Sequence, residues 1–290
     1  MKQISIISAK GGVGKTCITA AFASLIKDVV LVDADTESGD LRSILAAETI
    51  REEQIEANGA VQIDEDECIR CGLCKAMCHF DAVQNDFGVY SIQMQHCQAC
   101  DLCLKACPVS AISHIEKPVN VWGTAESRLG PLVYARLAPG EDLNGKLIGI
   151  IREHARELAE KQGKEMVLVD GPPAMGFAVA SAIAGADMAI VLIEPATRAV
   201  HDLHKAIQLS ARYEVPVACL VNKSDLNEEM TREVVRYCRA NSIPYLGAIP
   251  FDMAFMESQL QGKTLVELLG EESGQVKNLK GILETIKERI

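Results

Sequence analysis

Short runs rich in valine and isoleucine alternate with helix-length segments along most of this chain, and this alternation constrains its fold more than any other feature. The first run, "ISIIS", is followed by a glycine-rich loop, a helix-patterned stretch to about Lys27 and the run "VVLVD". The pattern resumes after residue 130 with five further runs separated by helical segments. It predicts an α/β fold with a mostly parallel sheet and helices on both faces, and a ligand at the carboxyl ends of the strands.

The alternation is interrupted between about Ala57 and Glu116, where the segments become short and cysteine becomes frequent. Two stretches here, "VQIDEDECIRCGLCKAMCHFDAV" and "YSIQMQHCQACDLCLKACPVSAI", share a strand-like start, four cysteines at one spacing and a closing Ala-Val or Ala-Ile. A duplicated unit of this kind can bring its two ends close together. We therefore expect a discontinuous α/β domain at residues 1–57 and 117–290, with an inserted α+β module at residues 58–116.

The composition favours a folded protein of a reducing compartment. The 290 residues are 48% hydrophobic, and the formal net charge of −11 argues against broad binding to nucleic acid or to an anionic membrane. No apolar run reaches the roughly 18 residues of a spanning helix, and the first residues lack the core of a signal peptide, so we expect a cytoplasmic protein. Eight of the eleven cysteines fall in two regular clusters, which there indicates metal binding rather than disulfides.

The loop after the first strand, "SAKGGVGKTC", matches a phosphate-binding pattern except that Ala9 replaces its first glycine. Such a loop turns successive backbone N–H groups toward phosphates, and the positive end of the following helix adds to the attraction. Lys15 then reaches the β and γ phosphates, and the Thr16 hydroxyl binds Mg²⁺. The residues expected to contact the nucleotide are Gly11, Gly12, Val13, Gly14, Lys15, Thr16 and Cys17.

With Lys10 as a second lysine, "KGGVGKT" resembles the deviant Walker A motif of the P-loop ATPases in the MinD, ParA and nitrogenase iron protein group. The resemblance implies an enzyme that binds ATP and Mg²⁺ and hydrolyses ATP, and an ATP-dependent sandwich dimer. In that dimer Lys10 would reach the nucleotide bound by the other protomer and act with Lys15 in catalysis. A solvated loop lysine is the alternative for Lys10. The sequence leaves open whether the dimer is a homodimer or a heterodimer with a paralogue.

The segment "LVDADTESGDL" resembles the first switch of the same family. The resemblance implies that Asp35 orients the attacking water and that Asp33 belongs to the Mg²⁺ shell. An ordinary acidic turn at the end of a strand is the alternative. Phosphoryl transfer depends on such groups because positioning and charge neutralisation supply most of the catalysis.

Two later strand ends complete the resemblance. "MVLVDGPPAMG" resembles the Walker B strand and second switch, which implies that Asp170 holds Mg²⁺ and that the backbone of Gly171 senses the γ-phosphate. "LVNKSD" ends a strand as base-recognition motifs do, which implies that Asn222 contacts the adenine edge. The segment "IPFD" would then place Pro250 beside the base.

Each cysteine motif has the spacing C-x2-C-x2-C-x3-C, and the second is followed by Pro108. This is the pattern of bacterial ferredoxins with two 4Fe-4S clusters, in which the fourth cysteine of each motif ligates the other cluster. Zinc is the competing interpretation, but zinc sites pair C-x2-C units across a long spacer. His79 stands where proline is usual in the first motif, which affects the local turn more than ligation. The expected ligands are Cys68, Cys71, Cys74 and Cys107 for the first cluster, and Cys97, Cys100, Cys103 and Cys78 for the second.

Together these motifs resemble MinD-superfamily ATPases that carry an inserted ferredoxin domain, over nearly the whole chain. The resemblance implies that ATP-driven dimer closure gates electron transfer through the two clusters to a redox protein partner. One alternative is an iron-sulfur cluster assembly or carrier ATPase, although such carriers place a C-x-x-C pair in the ATPase domain and none occurs here outside the insert. The other is a MinD-like positioning ATPase with a redox-sensing insert.

The last residues, "GQVKNLKGILETIKERI", have the spacing of an amphipathic helix. Helices that lie in a membrane interface usually carry aromatic anchors and more positive charge, so we expect packing on the core or on a partner instead. The apolar face contains Val276, Leu279, Leu283, Ile286 and Ile290. Three isolated cysteines, Cys17, Cys219 and Cys238, are interpreted as small buried residues.

Overall fold

The computed structural model describes residues 1–35, 40–56, 61–94, 96–97, 100–115, 119–138, 145–173 and 175–290. Within these ranges the strands are β1 (Lys2–Ile7), β2 (Val29–Asp33), β3 (Glu48–Glu56), β4 (Val61–Ile63), β5 (Val83–Asp86), β6 (Val89–Ile92), β7 (Ile112–His114), β8 (Val119–Ser127), β9 (Gly130–Arg136), β10 (Met166–Asp170), β11 (Met188–Ile193), β12 (Val217–Asn222) and β13 (Tyr245–Ile249). The helices are α1 (Lys15–Leu25), α2 (Asp40–Ile44), α3 (Leu73–Ala76), α4 (Leu102–Ala106), α5 (Gly145–Gln162), α6 (Phe177–Ile183), α7 (Ala199–Ala211), α8 (Glu228–Ala240), α9 (Ala254–Leu260), α10 (Leu265–Leu269) and α11 (Gly274–Lys287).

Nine strands form one sheet in the order β13-β12-β11-β1-β10-β2-β9-β8-β3. All six neighbouring pairs from β13 to β9 are parallel, which confirms the predicted α/β fold with a mostly parallel sheet. At the centre, β1, β10 and β2 lie side by side, and Asp170 is the register partner of Asp33. The carboxyl ends of these strands therefore bring acidic residues together beside the loop that follows β1.

Helices pack on both faces of the sheet and bury its central strands from both sides. On β11, Ile190 and Leu192 pack in one apolar cluster with residues of α1, α10 and α11. Their neighbours Val191 and Ile193 pack in a second cluster with residues of α6, α7 and α8. Successive side chains of a strand point to opposite faces, so an unbroken apolar run such as β11 needs a helical layer on each side.

Two strands of this sheet, β3 and β8, were not predicted from the sequence. β3 is an edge strand of the sheet and has the charged sequence "ETIREEQIE". Charged side chains on an edge strand discourage pairing with the strand of another molecule. The chain thus forms α2 and β3 between the first switch and the cysteine-rich segment, and does not leave the sheet directly after the switch. It returns through β8 and a two-residue turn into β9.

The cysteine-rich segment contains two short antiparallel pairs, β4 with β7 and β5 with β6. Each pair joins one strand of the first repeat to one strand of the second. Val61 is the register partner of His114, so the two ends of the duplicated segment lie next to each other. The helices α3 and α4 follow the second cysteine of their motifs and have only four and five residues.

The chain divides into two compact units by its internal contacts. One comprises Met1–Glu52, Trp122–Arg136 and Leu143–Ile290, and the other Glu53–Val121 with Leu137–Asp142. The domain boundaries that we predicted, 57/58 and 116/117, lie outside the described residues.

The last helix, α11, packs its predicted apolar face on the core of the first unit. Val276, Leu279, Leu283 and Ile286 are buried there, and Ile290 packs against the same cluster. Asn278 adds a hydrogen bond from Nδ2 to the carbonyl oxygen of Ala248, 2.8 Å away. Across the part of the chain that the structure describes, we find no helix with the length and apolar character needed to span a membrane.

Candidate functional site

The loop between β1 and α1 has the backbone of an anion-binding site. Gly12 and Gly14 adopt φ of +75° and +97°, which side-chain-bearing residues rarely adopt. Gly14 is the N-cap of α1 and no side chain caps the helix, so its first N–H groups remain available to a phosphate. A Cβ at Gly14 would also lie 2.7 Å from Nδ2 of Asn222.

Two residues at the end of β12 hold this loop in place. Asn222 is buried and donates a hydrogen bond from Nδ2 to the carbonyl oxygen of Val13 at 2.7 Å. The ammonium of Lys223 donates to the carbonyl oxygen of Gly12 at 3.0 Å and to Oε2 of Glu194 at 3.0 Å. Sequence reasoning selected Asn222 but missed Lys223, although it is the next residue of the same "NKSD" segment.

Lys10 lies on the exposed side of the loop. Its Nζ is 3.8 Å from Oε1 of Glu194, whose other oxygen accepts from Lys223. The Lys10 side chain is 44% exposed, so this long contact adds little stability and leaves the lysine free to exchange partners. Nothing in the sequence motif indicated Glu194, which stands at the end of β11.

A cavity of about 290 Å³ opens beside the loop. Lys15, Thr16 and Cys17 line it on the loop side, and Asn222 lines it from β12. Its other wall combines apolar side chains, which suit the face of a base, with two polar ones. That wall includes Phe251, Phe255 and Met256, together with Asp252 and Gln259.

Three carboxylates converge at the carboxyl ends of β2 and β10. Both oxygens of Asp33, Oδ2 of Asp170 and Oδ1 of Asp35 are buried, and among the described residues none of them has a hydrogen-bond partner with good geometry. Burial, and then the charges of Asp170 and Asp35, raise the pKa of Asp33 well above its usual value. The backbone N–H groups of Arg42 and Asp35 lie near Asp33 and partly oppose this rise of its pKa. Burial also raises the pKa of Asp170 to about 6, against the opposing effects of Thr16, Lys15 and Thr19.

These orphaned oxygens fit a divalent cation. Mg²⁺ prefers oxygen ligands and is usually held by one or two carboxylates together with substrate phosphates. Asp33 and Asp170 would hold it with the hydroxyl of Thr16, which lies near enough to Asp170 to lower the pKa of that carboxyl. Lys15 is 5% exposed, and its positive charge lowers the pKa of Asp170. A phosphate bound in the loop would interact with the same ammonium group.

The eight motif cysteines line two small cavities within the second unit. One is lined by Cys68, Cys71 and Cys74 of the first motif and by Cys107 of the second. The other is lined by Cys97, Cys100 and Cys103 of the second motif and by Cys78 of the first. The fourth cysteine of each motif thus lies with the first three of the other.

This arrangement fits one thiolate for each iron of two cubanes. Cys71 and Cys100 are exposed, and the remaining six cysteines are buried or half-buried. Burial raises the pKa of the Cys74 and Cys103 thiols, which must lose a proton to become ligands. Within the described ranges, no group of three or more His, Cys, Asp or Glu side chains is arranged to hold a single metal ion.

The family model for the CobQ/CobB/MinD/ParA nucleotide-binding domain, CbiA, matches residues 4–266. The chain belongs to this family. An uncharacterized protein of Methanocaldococcus jannaschii is 30% identical over 235 residues, which cover 78% of this chain and 79% of that protein. An iron-sulfur subunit of the CoB–CoM heterodisulfide reductase of the same organism is 35% identical over 78 residues, 20% of this chain and 12% of that relative.

Solved structures of the CobQ/CobB/MinD/ParA family share the fold. MinD of Pyrococcus horikoshii in complex with Mg-ADP has a TM-score of 0.57 and 17% identity, covering 99% of this chain and 96% of that one. MinD in a MinC:MinD complex of Aquifex aeolicus has a TM-score of 0.58 and 18% identity, covering 100% and 97%. At these identities the likeness establishes the fold.

Gly171 and Pro250 lie differently from the expectation for the site of this family member, whereas Cys17 lies at the cavity as expected and differs only from its interpretation as a buried residue. The N–H of Gly171 donates to the carbonyl oxygen of Ile6 at 2.9 Å, so a γ-phosphate would have to displace that bond. Pro250 is exposed, and the next two residues line the cavity instead. Cys17 is half-buried and lines the cavity, whereas Cys219 and Cys238 are buried as predicted.

Proposed function

We propose that this protein is an ATPase in which nucleotide-driven dimer closure gates electron transfer through two 4Fe-4S clusters to a redox partner. The observation that carries the proposal is the grouping of the motif cysteines into two sets of four, each around its own cavity, in a chain that also has the phosphate loop. Iron-sulfur ligands on a nucleotide switch suit a protein whose electron release depends on ATP.

The nucleotide half of the proposal rests on the charges around the loop. Lys15 and the free N–H groups at the start of α1 bind the phosphates, and Asp33 and Asp170 hold Mg²⁺. When bound, Mg²⁺ neutralises charge on the phosphates. Asp35 has a buried Oδ1 beside this group that has no partner among the described residues, and it accepts a hydrogen bond from the attacking water, which it orients. Lys10 exchanges Glu194 for the nucleotide of the second protomer.

The electron-transfer part of the proposal is supported by the solvent exposure of two motif cysteines. Each cysteine set contains one exposed member, Cys71 or Cys100, so an electron can enter or leave at either site without crossing the protein. The boundary between the two compact units falls inside β3 and inside β8, so movement at α2 and β3 has a covalent route to the cysteine module. The M. jannaschii relative named as an iron-sulfur subunit supports the same class of chemistry for a fifth of this chain.

The two alternative functions, a cluster carrier and a positioning ATPase, predict different observations. A carrier would lose iron and sulfide to an apo-acceptor, and a positioning ATPase would change location without net electron transfer. The apolar face of α11 is buried on the core, so a membrane-binding tail of the positioning type has no support here.

We expect Mg-ATP to change the rate at which dithionite-reduced, anaerobically purified protein reduces oxidised cytochrome c. Lys15→Ala should lose the ATP effect, because removing the charge that meets the phosphates weakens nucleotide binding on the order of 10²-fold. Asp35→Ala should keep the ATP effect but hydrolyse ATP about 10²-fold more slowly, because its water is no longer oriented. Stopped-flow absorbance and phosphate release measure the two quantities. Identical cytochrome c reduction with and without ATP, or parental hydrolysis by Asp35→Ala, would contradict these assignments.

A further inference from the structure

The two cysteine cavities are related by the internal repeat, and corresponding residues line them. Among the lining residues that the structure describes in both cavities, the polar character differs at two pairs of positions. Where the first cavity has Gly72, at the N-cap of α3, the second has Asp101 at the N-cap of α4. Where the first has Tyr90, the second has Val61.

At the first cavity, Gly72 and Tyr90 are matched to each other. Gly72 has φ of +78°, and a Cβ there would lie 2.8 Å from the hydroxyl oxygen of Tyr90. Only glycine therefore admits this hydroxyl at the cavity wall. The N–H of Ala111 also points to Sγ of Cys107 at 3.3 Å, so the first set has an N–H donor aimed at one of its ligands.

At the second cavity a carboxylate takes the place of the glycine. Asp101 has φ of +64°, a conformation that is costly for a residue with a side chain. Its carboxylate does not cap α4, and Oδ1 is buried with no hydrogen-bond partner among the described residues. The imidazole of His114 lies beside this carboxylate, with Nε2 3.3 Å from Oδ1, and is charged only when protonated.

We propose that these substitutions give the two clusters different reduction potentials, with the higher potential at the site of Cys68, Cys71, Cys74 and Cys107. The inference rests on the proposed function. Reduction adds one negative charge to a cluster, which hydrogen-bond donors stabilise and a nearby carboxylate destabilises. Tyr90 and the N–H of Ala111 raise the potential of the first site, and Asp101 lowers that of the second.

The difference gives electron flow a direction. A reduced one-electron donor protein is oxidised near Cys100 and reduces the second site. The electron then passes to the first site, and near Cys71 it reduces an oxidised one-electron acceptor protein. No proton or further reactant is needed for this one-electron step. Asp101 and Tyr90 thus tune the reduction potentials of the two sites and are not themselves iron ligands.

The test is a potentiometric titration of the full-length protein followed by electron paramagnetic resonance, without nucleotide and at one fixed pH for all variants. The parent should show two separate midpoint potentials. Asp101→Asn should raise the lower one and leave the higher one in place. Tyr90→Phe should lower the higher one only. Asp86→Asn, the same change at an exposed residue of the β5–β6 turn that lines neither cavity, should move neither.

Coincident parental potentials, or an Asp101→Asn effect on the higher potential, would overturn the inference. Asp101→Gly serves as a second variant if Asp101→Asn loses iron, because glycine is the residue of the first site and suits the positive φ. Iron and sulfide are measured in every sample. A parent without two clusters would overturn the proposed function, whereas two clusters of equal potential would overturn only this inference.

Discussion

Replacing Asp170 with asparagine should stabilise the nucleotide-free protein by an amount on the order of 2 kcal/mol at neutral pH and should abolish Mg²⁺-dependent ATP hydrolysis. Burial raises the pKa of this carboxyl from 3.8 to about 6, so the folded protein binds a proton that the unfolded chain releases. Stability from this group is therefore greatest below about pH 4, declines as the pH rises toward 6, and is lowest above it. The difference between the folded and unfolded pKa of Asp170 limits the gain in the free energy of unfolding to about 3 kcal/mol.

Asparagine keeps the shape and the hydrogen bond while removing the charge. Its oxygen can still accept from the Thr19 hydroxyl, which lies 3.1 Å from Oδ1 of Asp170. Urea unfolding at about pH 8 and about pH 5 should show a larger gain at the higher pH. Asp28→Asn, at an exposed carboxylate 3.8 Å from Lys164, is the matched control and should change stability by less than about 0.5 kcal/mol. If Asp170→Asn lowers the free energy of unfolding, the buried charge of Asp170 does not destabilise the cation-free protein and the explanation is wrong.

The second large effect concerns the crossed cysteine sets. The parent should contain about eight iron atoms per chain, and the double variant Cys68→Ala/Cys107→Ala should retain about four, because both residues belong to one set. Cys68→Ala/Cys78→Ala should retain almost none, because one residue is removed from each set. Cys238→Ala, a buried cysteine outside both sets, is the control and should keep all eight. Iron and acid-labile sulfide assays measure the result.

The opposite ranking would reject the crossed wiring. If each motif ligated its own cluster, Cys68→Ala/Cys78→Ala would retain four iron atoms and Cys68→Ala/Cys107→Ala none. Stoichiometric zinc without iron in the parent would reject the ferredoxin interpretation altogether.

The central sheet could be predicted from the sequence because its strands are buried on both faces. Runs such as "MAIVLI" of β11 are short, apolar throughout and rich in Val and Ile, which is typical of a strand that is buried on both faces. β3 was not predicted because this edge strand is rich in charged residues and lacks the regular alternation of apolar and polar residues that indicates a strand. β8 contains Gly123 and small residues, which weaken any strand signal.

The phosphate loop could be predicted from the sequence because its motif specifies both the residue types and the backbone conformation. Gly14 and Lys15 belong to one short loop whose chemistry depends on their order along the chain. Glu194 and Gln259 reach the site from other strands and helices, and only the folded sheet brings them to Lys10 and Cys17. The contrast between Asp101 and Gly72 was visible in the repeat, but the orphaned carboxylate oxygen was not.

The most direct test of nucleotide-gated electron transfer is the affinity for ATP in two redox states. If ATP changes the clusters' potentials, reduction must change the affinity for ATP by the same free energy, because linkage is reciprocal. Binding of a slowly hydrolysed ATP analogue with Mg²⁺ should be measured anaerobically on oxidised and on dithionite-reduced protein, with iron content checked in both. We predict dissociation constants that differ by about 5- to 150-fold, the range of typical allosteric couplings. Equal dissociation constants in fully loaded protein, with both clusters reduced in one sample and oxidised in the other, would contradict the gating function.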